Sequence, residues 1–359
     1  MKPTMGVAII GGGLFVKGSH LVSIYRHKHD PAVLKCELFS LKAIYSRSLK
    51  SAQETASLIP DSVPKPDLYS EDSGAGKSYQ DILQRDDISA VIIALPILSQ
   101  PSFIEAALSA GKHVLAEKPI AKDVTAARSL IANAQRICSS TKATLSIAEN
   151  IRFYPSFAYA ASEAAKFGKV HNFSVRVLWR IEADNKWYNT SWRQKPDYQG
   201  GFLLDAGVHW AAATRLLLTG DENKPETVQA FTAQMCEHLP PIDTVNAIIK
   251  TQSGATGVFQ NSAGSHLQAF EWSFSYEKGA VKIAGETVTV EPANGEAYVK
   301  EFTRTNGVTE EVAAWAQSIL DGKVNPLQTP EQALADLEFV EKMFTSGDEN
   351  GSTQKYELL

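Results

Sequence analysis

The feature that most constrains this chain is a short apolar run that ends in three consecutive glycines near the N-terminus. Residues 7–10 are Val-Ala-Ile-Ile, and residues 11–18 read GGGLFVKG. A continuously apolar run predicts a strand that is covered on both faces. Glycines directly after such a strand suit a tight turn into a helix and let backbone amides approach a pyrophosphate. Gly11 and Gly13 match the first two positions of the G-x-G-x-x-G pattern, whereas Val16 stands at the third.

The first third of the chain repeats the alternation of apolar runs with amphipathic segments, which predicts βα units around a parallel sheet. Helical apolar stripes are expected in residues 101–111 and 124–137, whereas the polar stretch 60–78 is expected to be mostly loop with a short strand near Leu68. The other predicted strands are residues 7–10, 41–45, 90–95, 113–116 and 144–148.

After residue 148 the pattern changes to strands in succession, which predicts a mostly antiparallel sheet. Two helices, in residues 310–320 and 331–344, close the chain, and the tail 346–359 is expected on the surface. With 359 residues the chain is long enough for two domains. We therefore predict an α/β protein with a Rossmann dinucleotide-binding domain in residues 1–148 and an α/β domain for substrate binding and oligomerisation in residues 149–359.

Composition and charge exclude several classes of protein. The formal net charge of −5 argues against a general surface for nucleic acid or anionic membranes. The apolar run at the N-terminus is too short for a signal peptide, and no stretch is long enough to cross a bilayer, so we expect a cytoplasmic protein. Cys36, Cys138 and Cys236 are too widely spaced for a zinc pattern or a disulfide framework, and no metal site is expected.

The end of the second predicted strand bears on which dinucleotide binds. An acidic residue there would contact the ribose 2′-OH of NAD, whereas a basic residue suits the 2′-phosphate of NADP. Residues 45–50 are Tyr-Ser-Arg-Ser-Leu-Lys and contain no acid. Arg47 can make charge-assisted contacts to a phosphate, with Ser46 and Ser48 as additional donors and Lys50 nearby. The alternative is a solvated surface arginine, but the pattern favours NADP(H).

Two further motifs carry groups that move protons. Glu117-Lys118-Pro119 directly follows a predicted strand, where ligands bind in a doubly wound sheet, and a lysine there can hold a substrate hydroxyl. Asp205 and His209 are four residues apart and share one face of a helix, so the carboxylate can orient the imidazole for proton transfer. For the first motif the alternative is a surface Glu-Lys pair before a turn. For the second, the alternatives are a helix cap beside a core histidine, or two metal ligands for which no third or fourth ligand is evident.

Together these motifs resemble the glucose–fructose oxidoreductase / inositol dehydrogenase / rhizopine catabolism (Gfo/Idh/MocA) family. The resemblance covers nearly the whole chain and implies an N-terminal Rossmann domain, a second domain with a large, mostly antiparallel open sheet, and a homodimer or homotetramer that assembles through that sheet. The motifs that carry it are Gly11-x-Gly13, Glu117-Lys118-Pro119, Glu149-Asn150-x-Arg152, Trp192-Arg193, and Gly200-Gly201 followed by Asp205-x-x-x-His209.

The resemblance also implies roles for individual residues. Lys118 would contact the reacting hydroxyl or carbonyl, His209 would be the general acid/base, and Asp205 would orient it or hold a neighbouring substrate hydroxyl. Residues expected to bind NADP(H) are Gly11, Gly13, Leu14, Phe15, Ser46, Arg47, Leu95, Pro96, Gln100, Glu117, Lys118 and Arg193. Residues expected to bind substrate are Lys118, Arg152, Trp179, Tyr188, Asp205 and His209. In the family the bond into the proline of this motif can be cis, so the Lys118–Pro119 bond is one to check.

Two departures from the family pattern suggest a fungal subgroup. Gln100 stands near the position where many members carry a histidine, and residues 27–39 lengthen the first crossover. The sequence therefore predicts an NADP(H)-dependent oxidoreductase that acts on a sugar, a polyol or a small aldehyde or ketone. The alternatives are a non-catalytic dinucleotide-binding regulator and a redox-assisted glycosidase.

Overall fold

The computed structural model describes residues 4–21, 38–61 and 63–358. It divides the chain into two compact units. The first comprises Met1–Ala121, Thr125–Asn150 and Asn306–Gln332, and the second comprises Lys122–Val124, Ile151–Thr305 and Ala333–Leu359. Cys36 and most of the predicted insertion at 27–39 lie outside the described residues.

A six-stranded sheet forms the centre of the first unit. Its order is β3-β2-β1-β4-β5-β6, and every pairing is parallel, which confirms the Rossmann prediction. The order reverses between β1 and β4, and in sheets of this kind ligands bind beyond the carboxyl ends of the strands at that point. The strands are β1 (Met5–Ile10), β2 (Phe39–Ser46), β3 (Asp67–Ser70), β4 (Ala90–Ile93), β5 (His113–Glu117) and β6 (Leu145–Ala148).

A nine-stranded sheet forms the second unit, in the order β14-β13-β12-β11-β7-β10-β9-β8-β15. Only the pair β7 and β10 is parallel among its described pairings, so the expected mostly antiparallel sheet is also confirmed. The strands are β7 (Val170–Arg180), β8 (Pro225–Ala233), β9 (Thr244–Thr251), β10 (Thr256–Ser262), β11 (Gly264–Tyr276), β12 (Gly279–Ala284), β13 (Thr287–Pro292), β14 (Tyr298–Glu301) and β15 (Gln354–Lys355).

Two of the helices begin at serine side chains that cap them. Ser48 accepts a hydrogen bond from the amide of Ser51 at the start of α1, and Ser78 forms a capping box with Asp81 at the start of α2. The helices are α1 (Leu49–Ala56), α2 (Tyr79–Leu83), α3 (Gln100–Ser109), α4 (Val124–Thr141), α5 (Pro155–Ala164), α6 (Ser191–Gln194), α7 (Gly201–Leu217), α8 (Val308–Leu320) and α9 (Pro330–Asp348), with a π-helical turn at Val16–His20 and 3-10 turns at Asn150–Phe153 and Asp221–Asn223.

Helix α8 packs into the core of the first unit, although it follows the second sheet along the chain. Its buried residues Val308, Val312 and Trp315 belong to one apolar cluster with strands of the first sheet. The rings of Trp315 and Phe39 have centroids 5.1 Å apart. Burying large aromatic and aliphatic side chains stabilises this attachment through loss of apolar surface from water.

The C-terminal tail departs at two residues from the prediction that it lies on the surface. β15 pairs with β8 at the edge of the second sheet, and Tyr356 directly after it is only 4% exposed. Ser346 is fully buried, and its hydroxyl accepts from the amide of Ala230 at 2.8 Å. The prediction was wrong for Ser346 and Tyr356 alone, since the other described residues of the tail are exposed or half-buried. Two residues of strand carry no periodicity that the sequence reveals.

No helix within the described ranges 4–21, 38–61 and 63–358 is both long and apolar enough to span a bilayer. Over those same ranges, no three histidine, cysteine, aspartate or glutamate side chains are grouped so that they could hold a metal ion.

Candidate functional site

The glycine loop after β1 has one tightly packed and one open position. Gly11 adopts φ 129°, and a Cβ on it would lie 2.2 Å from the backbone oxygen of Ala94, so only glycine fits there. Its amide donates to the backbone oxygen of Tyr45 at 2.8 Å, which ties the loop to the end of β2. A Cβ on Gly13, by contrast, would meet no atom of the described part of the chain within 4 Å. The loop is therefore held against the sheet at Gly11 and left open at Gly13, with Leu14 43% exposed beside it.

The end of β2 presents an arginine beside two serines. Arg47 is exposed, and no described residue forms a hydrogen bond or ion pair with it. Ser46 is 6% exposed, and its hydroxyl would lie 2.9 Å from a Cβ on Gly12, so it lies beside the glycine loop. Ser48 is occupied as the cap of α1. Arg47 thus remains available for a ligand anion.

An acid that the sequence analysis missed lies close to this arginine-bearing turn. Asp72, just after β3, accepts hydrogen bonds from the Ser70 hydroxyl at 2.6 Å and from the Leu49 amide at 2.7 Å. These bonds, first that from Ser70 and then that from the backbone, lower the pKa of the Asp72 carboxyl. Since Leu49 is the first residue of α1, the turn at Arg47 carries a fixed negative charge as well as a positive one.

The Glu-Lys-Pro motif stands at the carboxyl end of β5, as predicted. Glu117 is the last residue of the strand, Lys118 is partly buried, and the Lys118–Pro119 bond is cis, the form that the motif allows. The carboxylate of Glu117 accepts a hydrogen bond at 2.7 Å from Nε2 of His20, which is fully buried. His20 comes from the π-helical turn after the glycine loop and was not among the predicted site residues.

Gln100, at the start of α3, lies against this motif. It is 1% exposed, and its Nε2 donates to the backbone oxygens of Glu117 at 3.0 Å and Pro119 at 3.4 Å. The residues between β4 and α3 that were expected to line the cofactor site, Leu95 and Pro96, are partly buried. All of these positions follow the carboxyl ends of β1, β4 and β5 in the same sheet.

The Asp-His motif of the second unit lies on α7, as predicted. Asp205 is 6% exposed and accepts from Nε of Arg193 at 2.7 Å. The Arg193 guanidinium also lies 4.0 Å from the centre of the Trp192 ring, which adds a cation–π contact. The sequence predicts Arg193 at the cofactor; the structure places its Nε against Asp205. A carboxylate that is ion-paired and largely buried is held in one orientation.

A tyrosine hydroxyl lies in the field of this ion pair. The hydroxyl of Tyr198 is buried and has no hydrogen-bond partner among the described residues. Burial, and then the negative charge of Asp205, raise the pKa of Tyr198 far above its usual range, although the charge of Arg193 opposes them. The hydroxyl therefore stays protonated and can donate a hydrogen bond.

His209 lies one turn after Asp205 on α7 and is partly buried. Its ring lies 5.8 Å from that of Trp210, which in turn packs edge-on against Trp179 at 5.8 Å. Trp179 was predicted to contact substrate; the structure places it at the edge of an apolar cluster that includes Ile181. An imidazole and a carboxylate on one helix face thus stand beside an aromatic wall within the second unit.

Two residues predicted to bind substrate have their polar groups occupied by the protein. Tyr188 is 6% exposed and its hydroxyl donates to the backbone oxygen of His238 at 2.5 Å. Arg152 is 4% exposed and donates to Asp336 at 2.5 Å, and Asp336 also accepts from Arg215 at 2.5 Å. Both arrangements fix the fold of the second unit and add no support to a substrate contact.

Sequence reasoning missed His20, Asp72 and Tyr198 because none belongs to the motif beside which it lies. The only available signal was for His20, which follows the glycine loop at the end of the same turn. Taken separately, the first unit offers a loop for a dinucleotide with a lysine at the same sheet edge, and the second offers a carboxylate, an imidazole and a phenol. Groups of these types bind hydroxyls and move protons.

Comparisons with known proteins identify the family of the chain. Residues 5–140 match the family model described as an oxidoreductase family with an NAD-binding Rossmann fold, and residues 158–282 match the model of the GFO/IDH/MocA C-terminal domain. The chain is 36% identical to the dehydrogenase FPY6 of Fusarium mangiferae over 97% of its own length and 98% of that protein.

Two more distant similarities extend the comparison. The chain is 26% identical to a D-xylose 1-dehydrogenase (NADP(+)) of Haloferax volcanii, over 90% of this chain and 94% of that enzyme. Among solved structures, an oxidoreductase from Thermotoga maritima superposes with a TM-score of 0.82 at 27% identity and covers 98% of both chains.

Proposed function

The chain belongs to the Gfo/Idh/MocA family of NAD(P)-binding oxidoreductases, and we propose that it uses NADP(H) to interconvert a hydroxyl and a carbonyl group on a sugar, a polyol or a small aldehyde or ketone. The observation that carries the proposal is the position of Lys118. It follows β5 at the carboxyl edge of the sheet whose first strand ends in the glycine loop. An amine that can bind a substrate oxygen therefore stands at the edge where this fold binds a dinucleotide.

The described residues fit a dinucleotide. The opening at Gly13, where a Cβ would meet no described residue within 4 Å, leaves room for a pyrophosphate against backbone amides, while Gly11 holds the loop to Ala94. Gly11, Gly13, Leu14 and Phe15 would hold the pyrophosphate side, and Leu95, Pro96, Gln100, Glu117 and Arg193 belong to the proposed surroundings of the nicotinamide. The bound cofactor supplies a hydride acceptor or donor at its nicotinamide ring.

We assign the choice of NADP(H) to Arg47. Its guanidinium has no partner among the described residues, and a planar guanidinium matches a phosphate with two parallel hydrogen bonds. Ser46 adds a hydroxyl donor beside it. Asp72 works against this choice, because a carboxylate favours a ribose hydroxyl over a phosphate, but two hydrogen bonds from the protein already occupy its Oδ1. The name of the Haloferax relative, which specifies NADP(+), supports the assignment.

The proton is assigned to Lys118 and His209. In the proposed reaction the Lys118 ammonium donates a hydrogen bond to the substrate oxygen, and the His209 imidazole accepts the hydroxyl proton in oxidation or returns it in reduction. Nε of Arg193 donates to Oδ2 of Asp205 at 2.7 Å and holds this carboxylate in place. In the proposed site Asp205 orients His209 on α7 or accepts a hydrogen bond from a second substrate hydroxyl. Trp179 is the proposed apolar wall for the carbon skeleton of the substrate, with Tyr188 and Arg152 supporting the site from within the unit.

A cofactor-depletion screen tests this function. The purified protein is incubated with NADPH or NADP⁺ and a panel of sugars, polyols, aldehydes and ketones, and nicotinamide absorbance is followed. His209→Ala is expected to reduce turnover by about 100-fold or more while NADPH still binds. His171→Ala, at an exposed histidine on β7, is the matched control and should keep full turnover. Binding of NADPH without turnover on any panel member would indicate a regulator, and unchanged turnover in His209→Ala would remove the acid/base assignment.

We also propose a homodimer or homotetramer that assembles through the second sheet. Its outer face exposes Ile248 and Val258, which are cross-strand partners 57% and 41% exposed, and Phe231 on the next strand is 67% exposed. A second copy of the chain would bury these side chains. The double variant Ile248→Glu/Val258→Glu is expected to shift the mass measured by light scattering to that of a smaller species; an unchanged mass would contradict this interface.

A further inference from the structure

We propose that Gln100 and His20 are positioning residues that hold the Glu117-Lys118-Pro119 segment from its two sides and thereby fix the Lys118 ammonium. The inference rests on the proposed function, because it matters for turnover only if Lys118 contacts the substrate. It gives Gln100, which stands near the usual position of a histidine in the family, a role other than direct contact with the cofactor.

Gln100 binds the backbone on both sides of Lys118. Its Nε2 donates to the oxygen of the residue before Lys118 at 3.0 Å and to the oxygen of the residue after it at 3.4 Å. Gln100 is 1% exposed, so water does not compete for these bonds. Two carbonyls bound to one amide nitrogen cannot move apart without loss of a buried hydrogen bond, and this fixes the backbone that carries Lys118.

The orientation of the Gln100 amide follows from its partners. Both neighbours are backbone oxygens, so only the amide nitrogen can face them, and a flipped amide would place three acceptors together. The Gln100 Oε1 is buried and has no partner among the described residues. The interaction therefore depends only on the Nε2 donor. A side chain that supplies a donor here but lacks the amide oxygen can replace Gln100.

His20 holds the same segment through a side chain. Its ring is fully buried, packs edge-on against Phe15 at 5.3 Å, and donates from Nε2 to Oε1 of Glu117 at 2.7 Å. The Glu117 side chain is 12% exposed, so its carboxylate is held in one rotamer. His20 belongs to the turn that follows the glycine loop, and it therefore links the loop to the residue next to Lys118.

The two attachments are independent and meet at one residue. Gln100 acts on the backbone from the start of α3, and His20 acts on the Glu117 carboxylate from the end of the glycine loop. Loss of one leaves Lys118 attached but displaced, and a displacement of about 1 Å of a reacting group can reduce a rate by about 100-fold. A partial loss, of about tenfold, is expected for each attachment alone.

The first test compares three variants of the full-length protein. Gln100→Leu removes the donor and is expected to reduce kcat about tenfold while the dissociation constant of NADPH, measured by fluorescence, changes less than about twofold. Gln100→His keeps a ring N–H donor and should recover most of kcat. Gln135→Leu is the control, since its amide binds Glu331 on the exposed surface at 3.3 Å. Full activity in Gln100→Leu, or no recovery in Gln100→His with the thermal midpoint preserved, would overturn the proposal.

The second test combines Gln100→Leu with Lys118→Met. If Gln100 acts through Lys118, the tenfold effect is expected to shrink below about twofold when Lys118 is absent, since two residues that act as one unit are not additive. A full tenfold effect in both backgrounds would show a merely structural role and overturn the proposal. Lys118→Met with unchanged kcat would instead contradict the proposed function itself. His20→Asn is expected to repeat the partial loss of kcat, and unchanged kcat in this variant would remove His20 from the proposal.

Discussion

Nε of Arg193 lies 2.7 Å from Oδ2 of Asp205, in a pair whose side chains are 17% and 8% exposed. Removing one partner of a largely buried pair leaves the other charge without compensation. Asp205→Asn is therefore expected to lower the free energy of unfolding by about 2 kcal/mol, in addition to its effect on turnover. Urea denaturation measures the loss.

The same unit offers a matched control for this prediction. Arg180 and Glu182 are also joined through Nε at 2.7 Å, but their side chains are 30% and 60% exposed. Because solvent screens this pair, Glu182→Gln is expected to cost less than about 0.5 kcal/mol. Equal losses of unfolding free energy in the two variants would show that burial does not strengthen the contribution of the Asp205 pair to stability.

The two glycines of the loop are expected to respond in opposite ways to the same substitution. Gly11→Ala forces a Cβ to within 2.2 Å of the Ala94 oxygen at φ 129°, so it should destabilise the first unit by about 3 kcal/mol or more. Gly13→Ala meets no atom of the described residues within 4 Å and should leave the thermal midpoint unchanged. It should instead weaken NADPH binding, measured by fluorescence titration. Normal NADPH affinity in Gly13→Ala would mean that the opening is not where the cofactor binds.

Arg47→Ala is expected to raise the KM for NADPH by about tenfold or more and to change the KM for NADH little, because a charge-assisted phosphate contact is lost only with NADPH. Steady-state kinetics with both cofactors measure the ratio of the KM for NADPH to the KM for NADH. Asp72→Asn removes the opposing carboxylate and should shift the ratio the other way, towards NADPH. Lys282→Ala on the second sheet is the control for a general loss of positive charge. Parallel changes with both cofactors would remove the case for phosphate recognition.

Tyr198→Phe is expected to be neutral or stabilising in the absence of substrate, by up to about 1 kcal/mol, since the lost hydroxyl is buried without a partner among the described residues. The pH dependence follows from the raised pKa of Tyr198. The unfolded tyrosine ionises near pH 10 and the folded one does not, so the unfolded state is favoured as the pH rises above about 10. The stability advantage of Tyr198→Phe should therefore widen above that pH in denaturation curves. A constant difference would contradict the raised pKa.

The first sheet could be predicted because its strands are short and continuously apolar. The predicted strand at 41–45, for example, lies inside β2, Phe39–Ser46, and the strand at 144–148 nearly coincides with β6, Leu145–Ala148. α1 escaped prediction because it is a short polar helix whose start is set by the Ser48 cap rather than by an apolar stripe.

The candidate site could be predicted only where its residues lie within motifs. Lys118 directly follows β5, and Asp205 and His209 lie on α7, as the sequence predicts. Tyr198 and Asp72 matter because of the residues that they approach in space. Neither of them lies in a sequence pattern that predicts these contacts. Gln100 was expected at the cofactor because of its position after β4. Its amide instead donates a hydrogen bond to the backbone beside Lys118.

Helix α8 belongs to the first unit, although about 150 residues of the second unit precede it along the chain. During synthesis the first six strands leave the ribosome long before Trp315, whose ring packs against Phe39. The nascent first unit must therefore persist with part of its core uncovered until the second sheet has been made. A fragment that stops after β6 would carry the same exposed surface permanently, so the dinucleotide-binding unit of this protein has to be produced either as the whole chain or with residues 306–332 restored by a designed linker.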